Sequence, residues 1–312
     1  MRAYVLAAEG ARPAFTDVRA PRPAAGEVLV RVTASSVNPH DGLVASGGAA
    51  RYLEYHYPVV LGSDLAGTVE AVGAGVDDLA PGQRVFGLVR ERVAARGTFA
   101  ELVAVPRGWV TPTPDGVDDA TAGALGLAAL TALRCVEAVD PGAGEMVLVN
   151  GATGGIGGYV LQLVHLRGAT SIATARPGPE EDHVRGLGAA GVVDWTKGGL
   201  AAAVWALAPV GVAAVVDLVT RDRDTLTELA RRVLTPGGRV ACTGHAADAE
   251  RLPGVRATNV VAEVDQPALR TIAELAGSGQ LVAPITRTFA LADVGQAFIA
   301  LGQGATGKLS VR

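Results

Sequence analysis

The feature that most constrains this chain is a glycine-rich segment that directly follows an apolar run, Val147-Leu148-Val149-Asn150-Gly151-Ala152-Thr153-Gly154-Gly155-Ile156-Gly157-Gly158. The β-branched run predicts a strand, the glycines predict a tight turn, and a helical pattern then continues to Gly168. Such a turn lets backbone N–H groups approach a pyrophosphate at the positive end of a helix. The segment therefore predicts dinucleotide binding, with Ala152 in the first glycine position of the fingerprint. The alternative is an ordinary turn in a chain that has 41 glycines.

The next predicted strand, Ser171–Ala175, carries the information on coenzyme choice. NAD sites place an acidic residue about 20 positions after the glycines, where it binds the ribose 2′-hydroxyl. No acidic residue occurs between Thr170 and Pro179, and Arg176 stands at the strand end. A guanidinium can hold a 2′-phosphate through two N–H groups, and the hydroxyl of Thr174 could add a third donor. The pattern favours NADPH, and the alternative for Arg176 is a solvated loop charge.

Composition and charge exclude several classes of protein. Hydrophobic residues make up 49% of the 312 positions and charged residues 19%, which argues for a packed core and against disorder. The net charge is −4 and no Lys/Arg run occurs, so no nucleic-acid binding is expected. No apolar stretch is long enough for a membrane span, and no signal peptide is evident at Met1. Two cysteines, Cys135 and Cys242, have no metal or redox spacing, so a cytoplasmic protein is expected.

The order of predicted elements indicates an α/β protein with two parts. Up to about Pro112, short strands alternate with Gly/Pro turns, which predicts a small β-barrel-like domain. From about Met146 to Thr243, strands alternate with helices, which predicts a doubly wound parallel sheet. Pro236-Gly237-Gly238 is predicted to turn into a strand that begins at Arg239.

Six local patterns occur in a fixed order along the chain. They are Val37-Asn38-Pro39-His40-Asp41, Leu61-Gly62-Ser63-Asp64-Leu65-Ala66-Gly67, Gly97-Thr98-Phe99-Ala100-Glu101, the turn from Ala152 to Gly157, Pro236-Gly237-Gly238-Arg239 and Gly307-Lys308-Leu309. Taken together, they resemble one family, the zinc-independent medium-chain dehydrogenases/reductases of the quinone oxidoreductase (zeta-crystallin-like) type. The resemblance implies a GroES-like β-barrel domain for residues 1–115 and 285–312 and a Rossmann NADPH-binding domain for residues 116–284. It also implies a homodimer paired through Rossmann edge strands.

No metal site is expected. A catalytic zinc needs three thiolate, imidazole or carboxylate ligands. Zinc-dependent relatives carry Cys where this chain has Asn38 and His where it has Ser63, and neither replacement is a good zinc ligand. Without a Lewis acid, a conjugated enone or quinone is an easier hydride acceptor than an unactivated ketone. The expected function is therefore NADPH-dependent, metal-free reduction of a quinone or an α,β-unsaturated carbonyl compound.

Two alternatives to this function stay open. One is a pathway-specific enoyl reductase in the biosynthesis of a secondary metabolite. The other is an NADPH-binding sensor or scaffold with little turnover, because fold does not determine function.

Asn38 and Tyr52 are the candidate catalytic residues. Each could donate a hydrogen bond to the carbonyl oxygen that gains negative charge. Asn38 could equally lock its own loop through side-chain-to-backbone bonds, as Asn often does before Pro. Tyr52, chosen by resemblance from three clustered tyrosines, could equally be an amphipathic wall residue. Asp41 is expected to cap a helix that begins at Gly42.

The remaining cofactor-binding candidates come from the turn and from the resemblance. Lys308 is implied to approach the cofactor, and a solvated lysine at a strand end is its alternative. Val260 and Val261 are implied to face the nicotinamide carboxamide through their backbone. The full set comprises Thr131, Ala152, Thr153, Gly154, Gly155, Ile156, Thr174, Arg176, Leu218, Val219, Thr243, Gly244, Val260, Val261 and Lys308.

Overall fold

The computed structural model describes residues 1–312 and divides into two compact units. The first unit comprises Met1–Leu130 and Glu263–Arg312, and the second comprises Thr131–Ala262. The strands are β1 Arg2–Leu6, β2 Ala14–Asp17, β3 Glu27–Val37, β4 Glu54–Tyr55, β5 Val59–Val60, β6 Asp64–Val72, β7 Arg84–Leu88, β8 Val93–Ala94, β9 Leu102–Pro106, β10 Val110–Pro112, β11 Met146–Asn150, β12 Thr170–Thr174, β13 Gly191–Val193, β14 Val212–Asp217, β15 Leu234–Cys242, β16 Arg256–Asn259, β17 Ile285–Phe289 and β18 Lys308–Val311. The helices are α1 Pro39–Ala45, α2 Asp119–Ala122, α3 Leu127–Val139, α4 Gly155–Leu166, α5 Pro179–Gly186, α6 Leu200–Leu207, α7 Arg223–Val233, α8 Gln266–Gly277 and α9 Val294–Gly302. None of these helices has both the length and the apolar character that crossing a bilayer requires.

The first unit extends to Leu130 and resumes at Glu263, whereas the predicted boundaries lie after residues 115 and 284. Side-chain contacts hold the flanking segments to the first unit. Arg84 on β7 donates to the Asp119 carboxylate at 2.6 Å, and the Gln266 amide donates to the Val110 carbonyl at 2.7 Å. Residues 116–130 and helix α8 therefore belong with the β-rich unit. Local sequence patterns do not reveal such contacts, since the partners are far apart in the chain.

The first unit is organised around the long strand β3. It pairs antiparallel with β6, β9 and β18, so the last strand of the chain lies beside the third strand in the same sheet. Its apolar side chains, such as Val28 and Val30, pack with Leu65, Val69 and Val85 in one buried cluster. Burial does not alternate along the whole strand, because Leu29, Ser35 and Ser36 are buried as well.

The second unit contains a six-stranded sheet in the order β13-β12-β11-β14-β15-β16, with all strands parallel. This is the doubly wound order of a dinucleotide-binding sheet, in which the strand order reverses between β11 and β14. Val147, Leu148 and Val149 are fully buried, as expected for a central strand covered on both faces. The α/β prediction of a GroES-like domain plus a Rossmann domain is confirmed.

One predicted turn lies inside a strand. Pro236, Gly237 and Gly238 belong to β15, where the pairing with β14 shifts register between Val212 and Ala214. The residues between Leu234 and Arg239 form an irregularity with Gly237 at φ +74°, and β15 continues beyond it to Cys242. The sequence therefore predicted the local turn correctly, but the strand begins at Leu234 rather than at Arg239.

Candidate functional site

The glycine-rich turn presents the N-terminus of α4 at the end of β11, as the sequence predicted. Gly151 has φ +85°, and Gly154 occupies the N-cap position with no side chain to bond the first N–H groups of the helix. A Cβ at Gly157 would lie 2.5 Å from the carbonyl oxygens of Gly151 and Ala152, so this position requires glycine. A Cβ at Gly154 would meet nothing closer than 3.6 Å. The turn therefore leaves space and uncapped donors for an anionic group.

A chain of hydrogen bonds fixes this turn to the neighbouring strand ends. The Thr174 hydroxyl accepts the N–H of Gly151 at 2.9 Å and donates to the Asn150 side-chain oxygen at 3.3 Å. The Asn150 amide in turn donates to the Asp217 carboxylate at 2.8 Å. Asn150 ends β11 and Asp217 ends β14, so this last bond crosses the point where the strand order reverses. Thr174 is 2% exposed and its hydroxyl is engaged with the turn. The hydroxyl therefore holds the turn, which differs from the 2′-phosphate role predicted for it.

Asp217 also organises the loop after β14, where Leu218 and Val219 were expected to line the coenzyme site. Its buried carboxylate accepts the backbone N–H of Val219 at 3.1 Å and that of Thr220 at 2.7 Å. The Thr220 hydroxyl donates to the same carboxylate at 2.8 Å. Thr220 therefore stabilises its loop through its hydroxyl as well as its backbone N–H.

Arg176 follows the end of β12 and is paired with Glu180, the first acidic residue after Pro179. Its Nε and Nη2 atoms donate to Oε1 of Glu180 at 2.9 and 2.5 Å, and its backbone N–H donates to Oε2 at 2.8 Å. These hydrogen bonds hold the pKa of the Glu180 carboxyl below its usual range. The exposed guanidinium thus stands at the predicted position, but as half of an ion pair.

The other predicted cofactor residues of this unit lie at the carboxyl ends of the strands or on α3. Thr243 donates its N–H to the carbonyl of Asp217, and Val260 donates to that of Cys242. A Cβ at Gly244 would overlap the Thr220 carbonyl oxygen at 1.9 Å, so close backbone approach requires this glycine. Thr131 is buried on α3, whereas Val261 is half exposed.

Asn38, the first catalytic candidate, belongs to a buried polar network in the first unit. Its side-chain amide donates to the Asp64 carboxylate at 2.8 Å and to the Ser36 carbonyl at 3.3 Å. Its side-chain oxygen accepts from the Lys308 ammonium at 2.8 Å. The amide hydrogens are thus engaged within the protein. Only the bond to Ser36 is the side-chain-to-backbone contact of the loop-locking alternative, and the bond to Asp64 joins the loop to β6.

Lys308 and Asp64 form the centre of this network. The ammonium is 2% exposed and lies 3.1 Å from Oδ2 of the fully buried carboxylate. The other carboxylate oxygen of Asp64 accepts the N–H of Leu127 at 2.5 Å, at the start of α3. Lys308 is therefore buried rather than solvated, and two of its three ammonium hydrogens are bonded to buried side chains.

Asp41 is a second buried carboxyl group in the same network, and its predicted role needs correction. Helix α1 begins at Pro39 with Asn38 as its N-cap, so Asp41 lies inside the first turn and accepts the Asn38 N–H at 2.8 Å. Ser63 donates its hydroxyl to the other oxygen at 2.5 Å. Burial, opposed by the Ser63 bond and reinforced by the charge of Asp64, raises the pKa of Asp41 to about 7.

Tyr52, the second catalytic candidate, lies on the surface of the first unit beside two groups that sequence reasoning did not select. Its side chain is 46% exposed, and its ring stacks on His40 with centroids 6.4 Å apart. The Arg90 guanidinium lies 3.2 Å from Nε2 of His40. Burial and this positive charge lower the pKa of His40 to about 4, so its imidazole is neutral near pH 7. Tyr55, by contrast, donates its hydroxyl to the Val44 carbonyl and is structural.

The side chains of the first unit do not form a metal centre. Asn38 and Ser63, at the positions of zinc ligands in zinc-dependent relatives, are bonded to Asp64 and Asp41. No group of three or more His, Cys, Asp or Glu side chains in the chain is arranged to hold a metal ion. Lys308 already supplies a positive charge at this place.

Asp64 and Asp217 are buried acids for which the sequence predicted no role, and Asp41 is a third, whose buried role differs from the predicted cap. Each lies in or beside a strongly apolar segment, and a carboxylate in such a segment signals a buried partner. That signal was present in the sequence, but it does not identify the partner.

Comparison with known families assigns both parts of the chain. Residues 24–115 match the alcohol dehydrogenase GroES-like domain, and residues 187–309 match the zinc-binding dehydrogenase family. YhfP of Bacillus subtilis, named as a quinone oxidoreductase, is 32% identical over 69% of this chain and 68% of its own length.

Other curated relatives match over a smaller share of their length. The NADPH-dependent alkenal/one oxidoreductase of Arabidopsis thaliana is 34% identical over 55% of this chain and 45% of its own length. A mycocerosic acid synthase-like polyketide synthase of Mycobacterium tuberculosis is 38% identical over 55% of this chain, which is 8% of that protein. The chain thus spans less than half the length of these two relatives.

Solved structures match the whole chain. An NAD-dependent alcohol dehydrogenase is 26% identical with a TM-score of 0.88, covering 100% of this chain and 99% of that one. A quinone oxidoreductase from Pseudomonas syringae is 25% identical with a TM-score of 0.87 and covers 99% of each chain.

Proposed function

Because this chain belongs to the medium-chain dehydrogenase/reductase family, among its quinone oxidoreductases, we propose that it is an NADPH-dependent reductase of quinones or α,β-unsaturated carbonyl compounds that needs no metal. The observation that carries this proposal is the uncapped N-terminus of α4, which the glycine turn presents where the strand order of the sheet reverses. A bound nicotinamide would supply a hydride to an electron-poor carbon of the acceptor.

The coenzyme would be held by groups of the second unit. The backbone N–H groups at the start of α4, from Gly155 onward, are suited to the pyrophosphate. The side chains of Asp217, Asn150 and Thr174 hold the turn in position through hydrogen bonds. The exposed Arg176 guanidinium is suited to a 2′-phosphate, which supports NADPH as the coenzyme.

The first unit supplies the donors proposed for the acceptor oxygen. As hydride adds to an enone or quinone, negative charge develops on the carbonyl oxygen, and a hydrogen-bond donor there lowers the barrier. Tyr52 is the proposed donor, because its phenol is exposed beside the Arg90 guanidinium and a neutral His40. Asn38 is assigned a positioning role, because its amide hydrogens are engaged with Asp64 and Ser36.

The absence of a metal requirement rests on the chemistry of the side chains present. A divalent ion near Asn38 would have an amide and a hydroxyl in place of thiolate and imidazole ligands, and it would be repelled by the Lys308 ammonium.

The test is to follow NADPH oxidation, by loss of its absorbance, with a panel of quinones and enones, with and without a chelator. Chelator-resistant oxidation with at least one acceptor is expected, and oxidation that a chelator abolishes would contradict a metal-free reaction. Tight NADPH binding without oxidation across the panel would instead favour the sensor or scaffold alternative.

A second candidate function is a pathway-specific enoyl reductase. Its support is the 38% identity to part of a polyketide synthase. Higher kcat/KM for enoyl thioesters than for free enones of the same carbon skeleton would favour this candidate over a general reductase.

We also propose a homodimer formed through the edge of the second unit. Strand β16 pairs with β15 on one side only, so its other edge presents backbone N–H and C=O groups that a second copy could pair. Light scattering on the purified protein tests this proposal, and a monomeric mass at micromolar concentration would contradict it.

A further inference from the structure

The ion pair at the end of β12 bears on coenzyme choice, because the same guanidinium proposed to bind the 2′-phosphate is bonded to a carboxylate. Both Nε and Nη2 of Arg176 donate to one oxygen of Glu180. The other oxygen accepts the backbone N–H of Arg176, which fixes the carboxylate against the strand end. The Glu180 side chain is 13% exposed and the Arg176 side chain 58%. The acid is therefore held in place, while the base faces solvent.

We propose that Glu180 is a selectivity residue whose carboxylate opposes the 2′-phosphate and so reduces the preference of this chain for NADPH over NADH. The inference rests on the proposed function, since it concerns the coenzyme of that same site. NADH sites place an acid near the end of this strand. Glu180 is the second residue of α5, but its carboxylate bonds back to the Arg176 N–H at the strand end that such an acid occupies.

Glu180 affects phosphate binding through its charge and through the orientation of Arg176, and these two effects act in opposite directions. Glu180 orients the guanidinium and leaves its Nη1 group directed away from the pair, which helps phosphate binding. Its negative charge, however, cancels the charge of Arg176 and repels a phosphate a few ångströms away. A 2′-phosphate carries nearly two negative charges, so a carboxylate a few ångströms away weakens its binding even in exposed surroundings. Removal of the carboxylate charge should therefore strengthen NADPH binding about tenfold at low salt.

The competing explanation is that Glu180 only stabilises the start of α5. The first turn of this helix contains Glu180, Glu181 and Asp182, and acids at that position interact favourably with the helix dipole. In that case its replacement would change the stability of the helix and leave the ratio of coenzyme affinities unchanged.

The experiment measures dissociation constants for NADPH, NADH and adenosine 2′,5′-bisphosphate by calorimetry on the full chain. Glu180→Gln keeps the shape and an accepting oxygen but removes the charge. Glu181→Gln is the matched control, because Glu181 makes the equivalent pair with Arg185 four residues later. Thermal unfolding of each variant verifies that it is folded.

The expected result is about tenfold tighter binding of NADPH and of the bisphosphate by Glu180→Gln, a gain that shrinks at high salt. NADH binding should stay the same or weaken, and Glu181→Gln should bind like the wild type. Unchanged or weaker NADPH binding by folded Glu180→Gln would overturn the role of Glu180 while leaving the proposed function standing. Failure of the wild type to bind either nicotinamide coenzyme would overturn the proposed function, and this inference with it.

Discussion

The ammonium of Lys308 lies 3.1 Å from the carboxylate of Asp64, although 244 positions separate the two residues in the chain. Both side chains are almost fully buried, and Asn38 bonds to each of them. The pair joins β18 to β6 across β3, with which both strands pair. The last strand is therefore held to the first unit by a buried charge pair as well as by backbone bonds.

Removal of one member of this pair should strongly destabilise the first unit. Lys308→Met leaves the Asp64 carboxylate buried without its counter-charge, which typically costs about 3–5 kcal/mol. Urea unfolding should show this loss, and the double variant Lys308→Met/Asp64→Asn should recover part of it. The exposed pair of Arg31 and Glu70 is the control, and Arg31→Ala should unfold like the wild type. A Lys308→Met protein as stable as the wild type would show that the pair does not stabilise the fold.

Stability should fall as pH rises through the range in which Asp41 titrates. Burial raises the pKa of this carboxyl from 3.8 in the unfolded chain to about 7 in the folded protein. Between these values the folded state binds more protons than the unfolded state, so protons favour folding. The contribution is fully present below about pH 4 and is lost by about pH 7. Asp64 disfavours ionisation of Asp41, and the positive charges of Lys308 and Arg90 favour it.

Asp41→Asn should therefore be more stable than the wild type at pH 8 and similar to it at pH 5. The asparagine can accept the Asn38 N–H and donate to the Ser63 hydroxyl, so the two bonds are kept with no buried charge. Guanidinium unfolding of both proteins at the two pH values gives the comparison. An equal difference at both values would mean that Asp41 does not titrate in this range.

Two glycines of the turn should separate folding from coenzyme binding. Gly157→Ala places a Cβ 2.5 Å from two carbonyl oxygens and should lose about 1–3 kcal/mol of stability. Gly154→Ala has no neighbour within 3.5 Å and should lose less than about 1 kcal/mol. Its methyl group would nevertheless hold a pyrophosphate away from the helix N-terminus, so NADPH binding should weaken by more than about tenfold. Unaltered NADPH affinity in Gly154→Ala would argue against pyrophosphate binding at this turn.

Thr174 should influence both coenzymes equally. Thr174→Val leaves the Gly151 N–H without its acceptor, which should cost about 1–3 kcal/mol of stability and weaken NADPH and NADH by the same factor. Thr174→Ser keeps the hydroxyl and should behave like the wild type. Dissociation constants for both coenzymes provide the measurement. A selective loss of NADPH binding would return Thr174 to the 2′-phosphate role that the sequence suggested.

Local pattern was sufficient for much of this protein. The apolar run, the glycines and the amphipathic segment after them specified strand, turn and helix around Gly154, because each of these depends on residues within a few positions. The alternation of strands and helices then specified a parallel sheet, and the ordered motifs specified the family.

Only the tertiary structure decided what the polar side chains do. Thr174 binds the turn, Glu180 binds Arg176, and Lys308 binds Asp64, and in no case did the residue type identify its partner. The physical reason is that a buried or half-buried polar group takes whichever partner the packed chain brings within 3 Å. Sequence spacing determines that distance within a helix or a turn, but only the folded chain determines it for residues on different strands.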